Sequence, residues 1–160
     1  IAALHADSWR RTYRGILRDD FLGSEVFHDR KAVWEQKFEA PPANQWVLLA
    51  LEADQLAGFI CVYGGKDARW GSFIDNLHVA YAWKGQGIGA NLMQAAAAWL
   101  RKNHPEAGMY LWVYEANVAA RRFYKKMGAA RVEFAQRKNP GGGVARSFRY
   151  AWTLEKMFAL

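Results

Sequence analysis

Three glycines alternate in the stretch Lys84-Gly85-Gln86-Gly87-Ile88-Gly89-Ala90. A strand-like run, residues 73–79, leads into it, and a helical pattern leaves from Gly87. Glycines at a helix entry let bare backbone N–H groups and the positive helix end converge on one spot, which is an anion site. Lys84 stands at its mouth. The chemistry in question is therefore that of a phosphate-bearing ligand. A Walker A loop needs Lys-Ser/Thr after its last glycine, and Ala90 follows Gly89 instead. A dinucleotide fingerprint is met literally by Gly85, Gly87 and Ala90. That site also wants a carboxylate about 20 residues on; Glu115 comes late for it, and too few βαβ units remain to build the sheet. A plain tight helix entry is the third reading, against which stands the entropy of three glycines in five residues.

Other reactive side chains are few. Cys61 is the only cysteine and sits in a strand-like run, so it reads as a small core residue, and a reducing compartment follows. His5, His28, His78 and His104 show no metal-ligand spacing, and there is no G-x-S-x-G elbow, so neither a metal nor a covalent enzyme intermediate is expected. Asp75, His78 and Glu115 are the candidate bases. Strand alternation puts Asp75 on one side with Leu77 and Val79, and His78 on the other.

The elements that must position these groups follow from periodicity. Residues 1–17 read as an amphipathic helix anchored by Leu4, Trp9 and Tyr13, loosened at Gly15. Residues 25–39 read as a second, with Val26, Arg30, Val33, Trp34 and Phe38 at helical spacing; Pro41-Pro42 ends it. Residues 46–52 and 56–63 form a predicted hairpin, 64–70 a loop, and 72–79 a third strand. A helix over 87–103 stops at Pro105. A strand over 109–114 and a helix over 117–127, closed by Gly128, come next. Residues 130–137 and 145–153 make a final antiparallel pair around the tip 139–143. The order predicts one domain over residues 1–160, of mixed α/β (α+β) type with a mostly antiparallel sheet.

A second block gives the glycine loop its partner. Asn117 and Tyr124 are seven apart, within roughly 20° on one helix face, while Ala119, Phe123 and Met127 form an adjacent core face. The stretch Leu111-Trp-Val-Tyr-Glu-Ala-Asn117, Ala120-Arg-Arg-Phe-Tyr124 and Gly128 resembles N-x-x-A-x-x-F-Y-x-x-x-G of the GNAT N-acetyltransferase superfamily. Leu77-His-Val79 with Gly87 and Gly89 resembles that family's acetyl-CoA motif, [Q/R]-x-x-G-x-[G/A] after a strand ending L-x-V. Lys84 stands where Arg or Gln is usual, which keeps a charge and loses the planar fork. Ser8-Trp9 to Tyr13 and Gly15 is similar to the opening of small-molecule members. The family's first strand would precede Ile1, and since the chain opens without Met inside a helical pattern, we expect the natural start to lie upstream.

The resemblance implies the GNAT fold, with central strands that splay to admit the pantetheine arm. It implies that the amides of Gly85, Gln86, Gly87, Ile88, Gly89 and Ala90 hold the pyrophosphate of acetyl-CoA. It puts backbone contacts at Leu77, His78 and Val79, with a bulge there whose N–H serves the oxyanion of a tetrahedral intermediate. Asn117 would contact the cofactor and Tyr124 protonate the leaving thiolate, with Asp75, then Glu115, as base. Trp9, Tyr13 and the tip 139–143, a mobile loop by resemblance, would form the acceptor pocket. The expected reaction is acetyl transfer to a primary amine, small molecules favoured over proteins, in the cytoplasm.

Composition bounds the alternatives. The net charge of +7 is scattered rather than striped, which weakens a nucleic-acid reading, and no apolar run approaches the ~18 residues of a membrane span. A non-catalytic acyl-CoA- or nucleic-acid-binding module and a nucleotide-dependent oxidoreductase are the rivals, and a homodimer is left open.

Overall fold

The computed structural model describes residues 1–160. Six strands form one sheet in the order β1-β2-β3-β4-β6-β5. They are β1 (Gln45–Glu52), β2 (Gln55–Asp67), β3 (Gly71–Val79), β4 (Met109–Tyr114), β5 (Ala130–Lys138) and β6 (Val144–Trp152). Every pairing is antiparallel except β3 with β4. Five α-helices flank the sheet: α1 (Ala2–Thr12), α2 (Val26–Glu39), α3 (Ile88–Asn103), α4 (Val118–Lys126) and α5 (Leu154–Phe158). The mixed, mostly antiparallel architecture is the one expected.

The sheet is covered on both faces. On one side Ile60, Val62 and Leu111 alternate inward against Leu92, Met93 and Leu100 of α3 and Met157 of α5. On the other, Phe59 and Cys61 pack against Trp34 of α2. Cys61 is fully buried and burial raises its thiol pKa to about 12, so it is inert core. Trp9 and Phe21 form a satellite cluster beneath α1. Gly58 permits the tight approach of α3 to β2: a Cβ there would sit 3.2 Å from Ile88 and Leu92 and 3.0 Å from the His78 carbonyl oxygen.

Several boundaries differ from those the periodicity predicts. The first helix ends at Thr12, not residue 17; Tyr13 caps it, and Gly15 follows with φ of 75°. A single π-helical turn (Phe21–Glu25) then feeds α2. The supposed loop at 64–70 is mostly strand, because β2 continues through Gly64, Gly65 and Lys66 to Asp67 before turning. The short α5, capped by Thr153, was not expected.

β3 and β4 run side by side only at Ser72 with Met109 and Phe73 with Tyr110. Beyond those two pairs each strand keeps its other neighbour, β2 or β6, and the two diverge. The predicted splay is therefore present, and it opens toward the N-terminus of α3.

Candidate active site

The glycine loop is shaped as an anion cradle. Gly85 and Gly87 have φ of 80° and 86°, the left-handed region that side-chain-bearing residues enter at a cost. Gly87 is the N-cap of α3 and supplies no side-chain cap. The first intrahelical bond runs from the Asn91 N–H to the Gly87 carbonyl oxygen, so the amides of Ile88, Gly89 and Ala90 have no helical acceptor. Gly89 differs from its neighbours: a Cβ there would make ordinary contacts, 3.5 Å from Phe123 and 3.6 Å from Val79. The Gln86 side chain turns back to donate to the Ala82 carbonyl oxygen at 3.3 Å.

A cleft of about 960 Å³ begins at this loop and follows the gap between β3 and β4. Leu77, Val79, Lys84, Asn117 and Tyr124 all line it, so both sequence blocks meet at one place. Asn117 caps α4 by accepting from the Ala120 N–H at 3.1 Å. Tyr124 is buried, edge-on to Trp152 with centroids 6.2 Å apart. Burial, then the nearby Tyr13 hydroxyl, pushes its pKa well above the usual tyrosine value, so it carries its proton at neutral pH.

The cleft continues to the other face of the sheet, beneath α1 and α2. Trp9 and Tyr13 line it there. Tyr13 meets Tyr114 edge-on at 5.1 Å, and burial raises its pKa to about 12. His78 points the same way, opposite to Leu77 and Val79, as alternation requires. Its Nδ1 lies 2.9 Å from the Ser8 hydroxyl, and its ring lies tilted against His5, centroids 4.3 Å apart. Burial, then the charges of Lys84 and Arg30, lowers the His78 pKa to about 3, so the ring is neutral.

Asp75 overturns its predicted parity. Cys61 of β2 pairs with Asn76 and Val62 with Ile74, leaving Asp75 as an extra, bulged residue. The bulge therefore sits at Asp75, not at residues 77–79 as the resemblance implied, and it swings Asp75 to the α2 side with His78. There Lys37 donates to the carboxylate at 2.6 Å and Asn76 at 2.5 Å. Burial works against the Lys37 charge, but the Asp75 charge and its hydrogen bonds win and raise the Lys37 pKa. Glu115 is not brought to the cleft wall; it is half-exposed and lies 3.7 Å from Arg146.

The tip 139–143, expected to be mobile, is docked. The Asn139 side chain donates to the Ile16 carbonyl oxygen at 3.3 Å, and Gly141 lies flat on Phe21, where any Cβ would collide with the ring. Pro140 thereby roofs one end of the cleft. The residues that sequence reasoning passed over are Ser8, Arg30, Lys37, Trp112 and Arg137. For two of them a signal existed: Arg30 and Lys37 are seven apart, on the inward face of α2.

Comparison with known proteins agrees with this fold. The family model described as "Acetyltransferase (GNAT) family" matches residues 7–129. The Mycobacterium tuberculosis protein named "Probable N-acetyltransferase Rv2775" is 31% identical over 127 residues, covering 79% of this chain and 70% of that protein. "Uncharacterized N-acetyltransferase YuaI" of Bacillus subtilis is 28% identical over 136 residues, 82% and 74% of the two chains. Among solved structures, the paia N-acetyltransferase of Thermoplasma acidophilum, in complex with coenzyme A, superposes with a TM-score of 0.64 at 17% identity, covering 94% of this chain and 90% of that one. At that identity it bears on the fold alone.

Proposed function

The chain belongs to the GNAT acetyltransferase family, so its acetyl donor is acetyl-CoA, and from that premise we propose that it acetylates a primary amine by direct attack on the thioester. The observation that carries this reading is the divergence of β3 from β4 after two residue pairs, aimed at the uncapped amides of α3.

The donor's fit is chemical as well as spatial. Uncapped N–H groups at a helix N-terminus donate to phosphate oxygens, and the helix dipole adds about 0.3–1 kcal/mol. Lys84 and Lys126 also line the cleft and supply charge. The exposed backbone of β3 from Leu77 to Val79 offers the pantetheine amides a strand edge to pair with.

Tyr124 is the proton donor in this reading. Its raised pKa keeps the phenol protonated, and it lies between the cofactor end and the chamber beneath α1. A departing thiolate with a reference pKa of ~8.5 is stabilised by a hydrogen bond from the protonated phenol as its charge develops, and a proton passed along that bond, replaced on the phenol from solvent, releases it as the thiol. The amine must arrive neutral. Neutral His78 and the Asp75–Lys37–Asn76 cluster flank the path, and Asp75 is the carboxylate on it, with Ser8 orienting the His78 ring.

The test is a panel of primary amines, including small amines, amino acids and peptide N-termini, assayed by thiol release from acetyl-CoA. Turnover of at least one amine above hydrolysis is expected. Saturable acetyl-CoA binding without acetylation of any amine would instead establish a binding module.

A further inference from the structure

The chamber beneath α1 and α2 has a charge imbalance that the cofactor does not explain. Its walls carry the rings of Trp9, Phe73, Trp112 and Tyr114. Asp75 is the one carboxylate lining the whole cleft, and Lys37 already holds it at 2.6 Å. Arg30 enters from α2, and Arg137 and Lys138 from β5. The cations suited to the phosphates, Lys84 and Lys126, belong instead to the glycine loop and the end of α4.

Arg30 is nine-tenths buried. It rests on the Trp9 ring, its guanidinium carbon 4.1 Å from the centroid, and Asp29 outside the cleft fixes it through Nε at 2.8 Å and Nη2 at 2.5 Å. Arg137 comes from the opposite wall. Its guanidinium lies 5.1 Å over Trp112, and no carboxylate pairs with it or with Lys138. Arg30 on Trp9 and Arg137 on Trp112 both line the cleft whose wall includes Tyr114. Two guanidiniums over an aromatic floor form a fork that recognises a planar or tetrahedral oxyanion. A polycationic acceptor would meet the unpaired charges of Arg137 and Lys138 there.

We propose that the acceptor carries a carboxylate or phosphate group in addition to its amine, and that Arg137 and Arg30 hold this group against Trp112 and Tyr114. The inference rests on the acetyl-transfer reading above, and names its substrate class. The anion anchors one end of the acceptor, so the amine projects toward the gap between β3 and β4.

Matched acceptor pairs test it: an aromatic amino acid with its decarboxylated amine, and O-phosphoethanolamine with ethanolamine, with spermidine as the polycation. Each is measured by thiol release and, independently of turnover, by calorimetric binding to the protein loaded with coenzyme A. The acid-bearing member of at least one pair is expected to exceed its partner about tenfold or more in both readouts. The pair that responds tells carboxylate from phosphate. Arg137→Ala, at an exposed position, should erase the preference and leave the KM for acetyl-CoA unchanged. No binding difference in either pair, a preference for spermidine, or a preference that survives both Arg137→Ala and Arg137→Glu overturns the proposal. Acid-selective binding without thiol release keeps it and removes acetyl transfer; thiol release without acid preference does the reverse.

Discussion

Tyr124 and Asp75 show how differently two polar side chains can be read from one chain. Tyr124 follows from helical spacing, and the structure puts it on the cleft wall beside the core, within the electrostatic reach of Tyr13. Tyr124→Phe removes the hydroxyl and keeps the ring that meets Trp152, so stability should hold. With an acceptor whose chemistry limits the rate, kcat should fall about 10²-fold while the KM for acetyl-CoA stays within about twofold. An unchanged kcat there removes Tyr124 from the proton path. Asp75 was misplaced by alternation because one unpaired residue reverses the face of its neighbours. Nothing in Phe73-Ile-Asp-Asn-Leu announces a bulge. The signal lies in the partner strand, where Cys61 and Val62 skip Asp75. Arg30 was legible as one of the helically spaced positions of α2, but neither it nor Lys37, seven residues on, as a cleft group, since that depends on what the helix covers.

The glycine loop was legible as an element, though its three glycines do separate jobs. Gly85 and Gly87 serve the backbone, with left-handed φ and open space around them, whereas Gly89 lies in ordinary helix beside Val79 and Phe123. Gly87→Ala should therefore cost about 1–2 kcal/mol of stability even without ligand. Gly89→Ala should leave the ligand-free melting temperature within about 1 °C or raise it, because alanine favours helix by about 0.8–1 kcal/mol over glycine. Its cost should appear as a smaller thermal shift on adding acetyl-CoA, since its Cβ lies between the helix end and Val79. Melting curves of both variants, with and without acetyl-CoA, separate the two roles. Equal loss of ligand-free stability in the pair contradicts this division. The extension of β2 through Gly64 and Gly65 was missed because paired glycines signal a turn locally. Here Gly64 donates its N–H to the Asn44 carbonyl oxygen, and tertiary pairing overrides the local preference.

The packing of α1 and α2 over the sheet makes the molecule's stability depend on pH. His5 is fully buried, and its Nδ1 accepts from the Trp34 indole at 3.0 Å. Burial and the charge of His78 depress its pKa strongly, and that of His78 falls to about 3. Depressed histidines bind fewer protons folded than unfolded, so stability is complete above the unfolded pKa of ~6.5 and is lost as pH falls below it. The slope should approach about 1.4 kcal/mol per pH unit for each histidine. Urea midpoints between pH 7.5 and 3.5 should decline accordingly, and His78→Asn should flatten part of the decline. An acid slope identical in that variant rules His78 out as its source. On the alkaline side Tyr124 and Tyr13 act in the opposite sense: their raised pKa values predict a loss of stability as pH rises above ~10.

The linear chain by itself determined the α+β class, the order of most elements, the glycine cradle and the pairing of that cradle with Asn117 and Tyr124. These are local: periodicity, breakers and left-handed glycines act within a few residues, and a motif records them in order. Only the tertiary structure decided which face Asp75 shows, that the tip 139–143 is docked on Phe21, that Glu115 stays off the cleft wall, and that Arg30 and Arg137 line one cleft. Each of these depends on residues tens to more than a hundred positions apart. Strand register and helix docking set such contacts, and neither leaves a period in the sequence. The donor's site is built mainly from the first kind of information and the acceptor's from the second.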